Sequence, residues 1–170
     1  MSEIKLKIRT FGEAVLRQKA KPVNRVTVGH RDILSQMARA MYDGAGIGLA
    51  APQIGISEQL IVVDIGEGLY KLINPKIVKK TGRQAISEGC LSVPGVCIKV
   101  KRAKQIWIEA KDENDQFVKF QAKDLFACVL QHEIDHLKGK LIIDYASLVD
   151  KLRIKNKLKA LKIKNICQAL

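Results

Sequence analysis

The sequence predicts an α+β domain. Three observations carry that reading: helical periodicity lies near both ends of the chain, short strand-like runs fill its middle, and no repeat or linker interrupts them. With 170 residues the chain has the size of one domain and can bury a sizeable core. Hydrophobic residues make up 47% and charged residues 28%, the balance of an ordinary globular protein rather than a disordered one.

Within residues 31–43, Ile33, Leu34, Met37 and Met41 recur at helical spacing, and Gly44 supplies a stop. GAGIGLAAPQIG, residues 44–55, is rich in glycine and then small and apolar. It reads as a loop or distorted edge strand whose backbone lies open to a ligand. QLIVVDI (59–65), KLINPKIV (71–78), VCIKV (96–100), QIWIEAK (105–111) and QFVKFQAK (116–123) read as strands. Gly66, Asn74-Pro75, Pro94-Gly95 and Asn114-Asp115 mark turns between or within them. Residues 122–139 form the next helix, with Asp124 as its expected cap and Gly139 as its end. Leu125, Cys128, Val129 and His132 share one face of it. In the basic stretch LVDKLRIKNKLKALKIK, basic residues at 151, 153, 155, 157 and 159 have the period of a strand. Ile154, Leu158 and Leu161 nevertheless make a helical stripe, and no turn signal intervenes. A helix over 147–165 is expected, those three residues facing inward and Lys151, Lys155, Lys159 and Lys162 facing out.

Composition narrows the functional classes. A net charge of +13 fits either an anionic partner, such as nucleic acid or an anionic membrane face, or plain solvated lysine-rich faces. No apolar run approaches the ~20 residues of a membrane span. The opening MSEIKLKIRTFG carries charge without an apolar core, so no secretory signal is expected. The four cysteines, at 90, 97, 128 and 167, form no C-x-x-C pair. Reduced thiols and a cytoplasmic location follow as expectations.

The chemistry concentrates in QHEIDHLKGK, residues 131–140. His132 and His136 lie one helical turn apart, ~6 Å along the axis, on the same face. Glu133 stands beside them, placed to act on water at a metal ion, as in zinc-protease helices. The same pattern also occurs by chance in unrelated helices, so a third ligand must decide. Ile142 occupies the position where a metzincin has its third histidine. A thermolysin-like site would take a glutamate further along; none follows Glu133, and only Asp144 and Asp150 remain as downstream carboxylates. His30, beside Arg31 at a helix start, reads as a surface residue. Cys128 shares the face, but ~12 Å of helix axis separates it from His136. Bonds of ~2.0–2.3 Å do not span that separation, so Cys128 reads as a small buried residue near the site. Cys97 and Cys167 read as structural. Cys90 remains, in the extended SEGCLSVPG with Pro94-Gly95 after it. One thiolate and two imidazoles leave a tetrahedral position open.

EGCLS (88–92), QHEIDH (131–136) and GIGLAAPQ (46–53) resemble, in order and separation, the three signature motifs of the peptide deformylases. RTFGEAVLR and VKRAKQIWIEAKDENDQ resemble the family as well, so the likeness spans roughly residues 4–150. The resemblance implies short antiparallel sheets packed around a central HExxH helix, followed by a C-terminal helix. Residues 1–147 would be the catalytic part and 148–170 a basic tail of the same domain. It implies hydrolysis of the formyl group from N-formylmethionyl nascent polypeptides. Cys90, His132 and His136 would bind one divalent metal ion, ferrous iron in the cell, with zinc, nickel or cobalt in its place in preparations. Glu133 would be general base and acid, and Gln53 and the Leu91 backbone N–H would hold the formyl oxygen. Ile47, Gly48, Gly89, Leu125 and Val129 would border the substrate, with Gly48 and its neighbours pairing to its backbone like an added strand. Glu88 and Arg102 would support the site as an ion pair. A basic C-terminal helix of this kind docks on the ribosome in bacterial relatives. The enzyme is expected to be a cytoplasmic monomer with no membrane contact. Two other classes fit parts of the sequence: a metallopeptidase using the same helix, which formate release would distinguish, and a non-catalytic RNA-binding module, which leaves the catalytic side chains unexplained.

Overall fold

The alternating apolar runs in the middle of the chain fold as antiparallel ladders, and the helices cover them. The computed structural model describes residues 6–168, with side chains described to residue 165. Its elements are α1 (Val28–Asp43), β1 (Gly48–Ala50), β2 (Leu60–Val63), β3 (Tyr70–Thr81), β4 (Gln84–Gly89), β5 (Cys97–Arg102), β6 (Gln105–Lys111), β7 (Phe117–Lys123), α2 (Asp124–Leu137) and α3 (Leu148–Gln168). One five-stranded sheet runs in the order β1-β2-β3-β6-β7, and β4 pairs with β5 as a separate hairpin. Every ladder is antiparallel. This is the α+β arrangement the sequence predicts, with α2 at its centre and α3 closing the chain.

All of β2 is buried, and its side chains alternate between two cores as the two-residue period of a strand requires. Leu60 and Val62 pack with Leu34, Met37 and Met41 of α1. Ile61 and Val63 pack on the other face with Ala127, Leu130 and Ile134 of α2. A third cluster lies between the hairpin and the C-terminal segment, where Val96, Ile98 and Val100 meet Ile142, Ile143 and Ile154. Burying a side chain of this size stabilises the fold by about 1.5–3 kcal/mol, so three such clusters fix the positions of both sheets around α2.

Several local expectations are refined. β4 is a strand the sequence reading left as an extended segment, because its alternation is short and polar and β5 alone pairs with it. Asn74-Pro75 forms an irregularity inside β3 and not a turn. Asn74 adopts φ 52°, and its side chain accepts from the Val23 N–H at 2.8 Å and donates to the Val23 carbonyl at 2.7 Å. Asp124 does not cap α2: it is the first residue of that helix, at φ 49°, and the cap position falls to Lys123 with no side-chain bond. His30 sits in the first turn of α1, where its Nδ1 accepts from the Thr27 N–H at 3.0 Å. α3 buries Ile154 and half-buries Leu158 and Leu161, while Lys151, Lys155, Lys159 and Lys162 are exposed. Leu148, Val149, Leu152 and Ile163 are exposed on it as well. No helix among the described residues is long and apolar enough to cross a membrane.

Gly139 ends α2 at φ 70°, and a Cβ there would lie 2.5 Å from the Arg17 carbonyl oxygen. Gly139→Ala therefore combines backbone strain with a collision against main chain. It should destabilise the protein by about 1–3 kcal/mol, which thermal unfolding would register as a fall of at least ~2 °C in Tm. An unchanged Tm would mean that the Arg17 segment yields without cost.

Candidate metal centre

β4 carries Glu88 into the interior, and the strand period of two turns Cys90 to the same side just past its end. α2 presents His132 and His136 from the opposite side. Cys90 Sγ lies 3.3 Å from His136 Nε2, and the two Nε2 atoms lie 3.2 Å apart. All three donor atoms fall within 4.8 Å of one another. Bonds of ~2.0–2.3 Å in a tetrahedral set require ligand–ligand edges of about 3.3–3.8 Å. The spacing thus fits a single ion, and His136 Nδ1 and Glu133 Oε2 are buried polar atoms with no hydrogen-bond partner among the described residues. Cys128 is buried close by but lies outside this set, as its place on the helix implies. Cys97 is exposed and not packed in the core. The Cys167 side chain lies outside the described residues.

The carboxylate of Glu88 organises the surroundings. It accepts from Arg102 Nε at 2.7 Å and from Arg102 Nη2 at 2.9 Å, and its Oε2 lies 2.9 Å from His132 Nδ1. That contact turns the His132 Nε2 lone pair toward the centre. Arg102 also bonds Asp135, which accepts from the Tyr145 hydroxyl at 2.7 Å. Burial alone would raise the Glu88 carboxyl, but the bonds from Arg102 and His132 hold it below the usual carboxylate range. Burial likewise would lower both imidazoles. It prevails at His136, which falls well below its ordinary value, whereas the contacts with Cys90 and Glu88 carry His132 well above.

Glu133 follows His132 in the same helix turn, lines the same cavity and is almost wholly buried. Burial pushes its carboxyl up to about 7. Its carboxylate rests against Gly48: a Cβ on Gly48 would lie 2.9 Å from Glu133 Cδ and 2.9 Å from Val129 Cγ1. The glycine is there for close approach, since its φ is not in the left-handed region. Gln53, in the short 3-10 turn Ala51–Ile54, is 1% exposed. Its Oε1 accepts from the Ala50 N–H at 2.8 Å, and its Nε2 reaches Ser92 Oγ at 3.2 Å and Cys90 Sγ at 3.6 Å.

These groups open on one cavity of about 590 Å³. Ile47, Gly48, Gln53, Glu88, Gly89, Leu91, Leu125 and Val129 all line it, together with Cys90, His132 and Glu133. Arg102 does not: it reaches Glu88 from behind and borders a separate polar cavity with Asp135 and Tyr145. It pairs with Glu88 as a supporting residue and does not border the cavity itself. Sequence reading missed Ser92, Asp135 and Tyr145. The first two lie inside the recognised motifs, but only their bonds single them out.

The family model described as polypeptide deformylase matches residues 5–152. A peptide deformylase of Syntrophomonas wolfei is 53% identical over 137 residues, covering 81% of this chain and 90% of that one. A peptide deformylase structure from Thermus thermophilus superposes with a TM-score of 0.89 at 34% identity, covering 93% of this chain and 98% of that one. A Synechococcus elongatus peptide deformylase in complex with actinonin gives a TM-score of 0.87 at 39% identity, covering 92% of this chain and 88% of that one.

The geometry separates two cysteines on the same cavity wall. Cys90→Ser should lower bound metal, measured by elemental analysis after dialysis, at least tenfold relative to the parent protein. Cys128→Ser should leave metal content unchanged. The reverse pattern would overturn the donor set.

Proposed function

The chain belongs to the polypeptide deformylase family, whose members remove the N-terminal formyl group from nascent polypeptides in a metal-dependent reaction, and on that premise we propose how its residues divide the work. Cys90, His132 and His136 hold one divalent ion. The convergence of their three donor atoms beside the buried Glu133 is the observation that carries this reading. When bound, the ion supplies positive charge that polarises the formyl carbonyl and acidifies water. Glu133 takes the proton of the attacking water on its carboxylate and later delivers it to the leaving amine nitrogen. A carboxyl raised to about 7 exchanges that proton near neutral pH. Gln53 donates from Nε2 to the formyl oxygen as charge develops there, and the Leu91 N–H is the second donor. The Ala50 N–H occupies Gln53 Oε1 and so keeps the Nε2 end of the amide turned toward the centre. Donors of this kind contribute ~3–4 kcal/mol each to stabilising the transition state.

The substrate lies along the cavity. β1 has one unpaired edge, being the outermost strand of its sheet, and Ile47 and Gly48 pair there with the substrate backbone as an added strand. Leu125 and Val129 give the methionine side chain an apolar wall, and Gly89 borders it from the hairpin. A thiolate with two imidazoles accepts ferrous iron, zinc, nickel or cobalt. We assign ferrous iron in the cell, where the thiolate would make the enzyme sensitive to oxygen. Residues 1–147 form the catalytic part and 148–170 its basic tail. The enzyme works as a cytoplasmic monomer, and the outward lysines of α3 contact ribosomal RNA where nascent chains emerge. Like charges at i, i+4 spacing favour such an anionic surface.

Glu133→Ala tests the catalytic assignment. Formate release from a formyl-Met-peptide should fall by at least a hundredfold, the low end of what a general base contributes, while metal content stays at the parent level. Loss of the metal from a folded variant would make Glu133 a ligand instead.

The tail assignment is tested apart from catalysis. Replacing Lys151, Lys155 and Lys159 together by Gln should abolish low-salt co-sedimentation with ribosomes and leave peptide turnover unchanged, because each lost phosphate contact removes counterion release. Undiminished co-sedimentation would reduce these lysines to a solvated face.

A further inference from the structure

α3 holds the active-site loop at both of its ends. The loop between Cys90 and Val96 contains the turn at Pro94-Gly95, and both residues of that turn border the 590 Å³ cavity. Lys157 of α3 donates from Nζ to the Gly95 carbonyl at 2.7 Å. Among the described residues no backbone donor takes that oxygen. Gly95 itself stands at φ 73°, a conformation that glycine adopts freely and leaves freely. The ammonium thus holds the carbonyl end of this peptide unit, whose N–H end, at Val96, donates to the Val93 carbonyl at 3.3 Å.

The second tie lies at the other end of the loop. Asn165 of α3 donates from Nδ2 to the Thr10 and Phe11 carbonyls at 3.3 and 3.0 Å, and its Oδ1 accepts from Thr10 Oγ1 at 2.9 Å. The Phe11 N–H then donates to the Ser92 carbonyl at 2.8 Å. Ser92 in turn receives Gln53 Nε2 on its hydroxyl. Leu158 and Leu161 between the two ties, and Ile154 just before them, pack in the same apolar cluster as Val93, Val96 and Cys90. The helix thus reaches the loop by a direct bond at its rim, by a relay at its base and by packing in between.

We propose that Lys157 is a positioning residue for substrate binding: through the Gly95 carbonyl it fixes the Pro94-Gly95 rim of the cavity. The part of α3 that carries it belongs functionally to the substrate site. The rim is 2.7 Å from Lys157 but is built from the same short loop that supplies Cys90. Loosening the rim alone weakens substrate binding and leaves the reacting groups in place. This rests on the reading of the cavity as the formyl-peptide site, and turnover by the parent enzyme in the same assay tests that reading separately.

Lys157→Met keeps the length of the aliphatic stem and removes the donor. With a formyl-Met-peptide and metal-loaded enzyme, KM should rise about three- to tenfold, the upper limit being about 1.4 kcal/mol. kcat should stay within twofold, and Tm and metal content should match the parent. Lys157→Arg, which keeps a donor of similar reach, should restore KM. Lys164→Met removes an exposed lysine of the same helix that makes no bond to the loop, and should leave KM unchanged. An unaltered KM in Lys157→Met overturns the proposal. So does an equal KM rise in Lys164→Met, which would make the effect one of charge, or a rise that Lys157→Arg fails to reverse.

Discussion

The carboxylate of Glu88 is the point on which the arrangement around α2 depends. It is buried, and it accepts both nitrogens of one edge of the Arg102 guanidinium while touching His132. A charge there is tolerable only because these partners surround it. Continuum reasoning assigns little net stability to such a buried pair, whereas removing one partner costs about 3–5 kcal/mol. The pair is better understood as a device that sets geometry. It joins the β4–β5 hairpin to α2, orients the His132 ring, and fixes the strand register that turns Cys90 inward two residues later. Asp135 and Tyr145 complete the far side of Arg102, so the guanidinium is clamped from both directions.

Close approach of backbone to side chain is the second constraint. The Glu133 carboxylate reaches its place because Gly48 has no Cβ. Burial then raises the carboxyl to about 7, where a proton can be taken and returned near neutrality. The same desolvation that would be a defect in a structural carboxylate suits a proton carrier. Gln53 shows the complementary strategy: one end of its amide is used up by a backbone N–H, so the other end has a defined direction.

α3 links these local constraints to the surface. Its inner stripe completes the third apolar cluster, and its polar residues Lys157 and Asn165 bond the main chain beside the cavity. Its outer face is lysine-rich. One helix therefore faces both the loop of the candidate site and whatever approaches from solution. Removing it would expose the cluster that also holds Cys90, so the tail is not a detachable appendage.

The sequence by itself determined the α+β class, the α1 and α2 helices to within three residues at each end, and most of the strands, because apolar periodicity is a local property. It also pointed to Cys90, His132 and His136 together. Helix geometry argues against Cys128 reaching His136, and the resemblance of EGCLS to a deformylase motif favours Cys90 over the other cysteines and over Asp144 and Asp150. The amphipathic reading of the tail holds for the same local reason, with Ile154 inward and the lysines outward. Only the tertiary structure decided what depends on residues far apart in sequence. β4 is a strand because β5 pairs with it, and Asn74 breaks β3 because it bonds Val23 across 51 positions. Asp124 is the first residue of α2 and not its cap, and its backbone N–H donates to the Lys104 carbonyl, 20 residues away in sequence. Arg102 gains a second anchor at Asp135, and Ser92, Asp135, Tyr145 and Lys157 matter solely through their partners. A short polar segment or a single lysine carries no local signal of the bond it will make. That bond exists only once packing has brought the acceptor within reach.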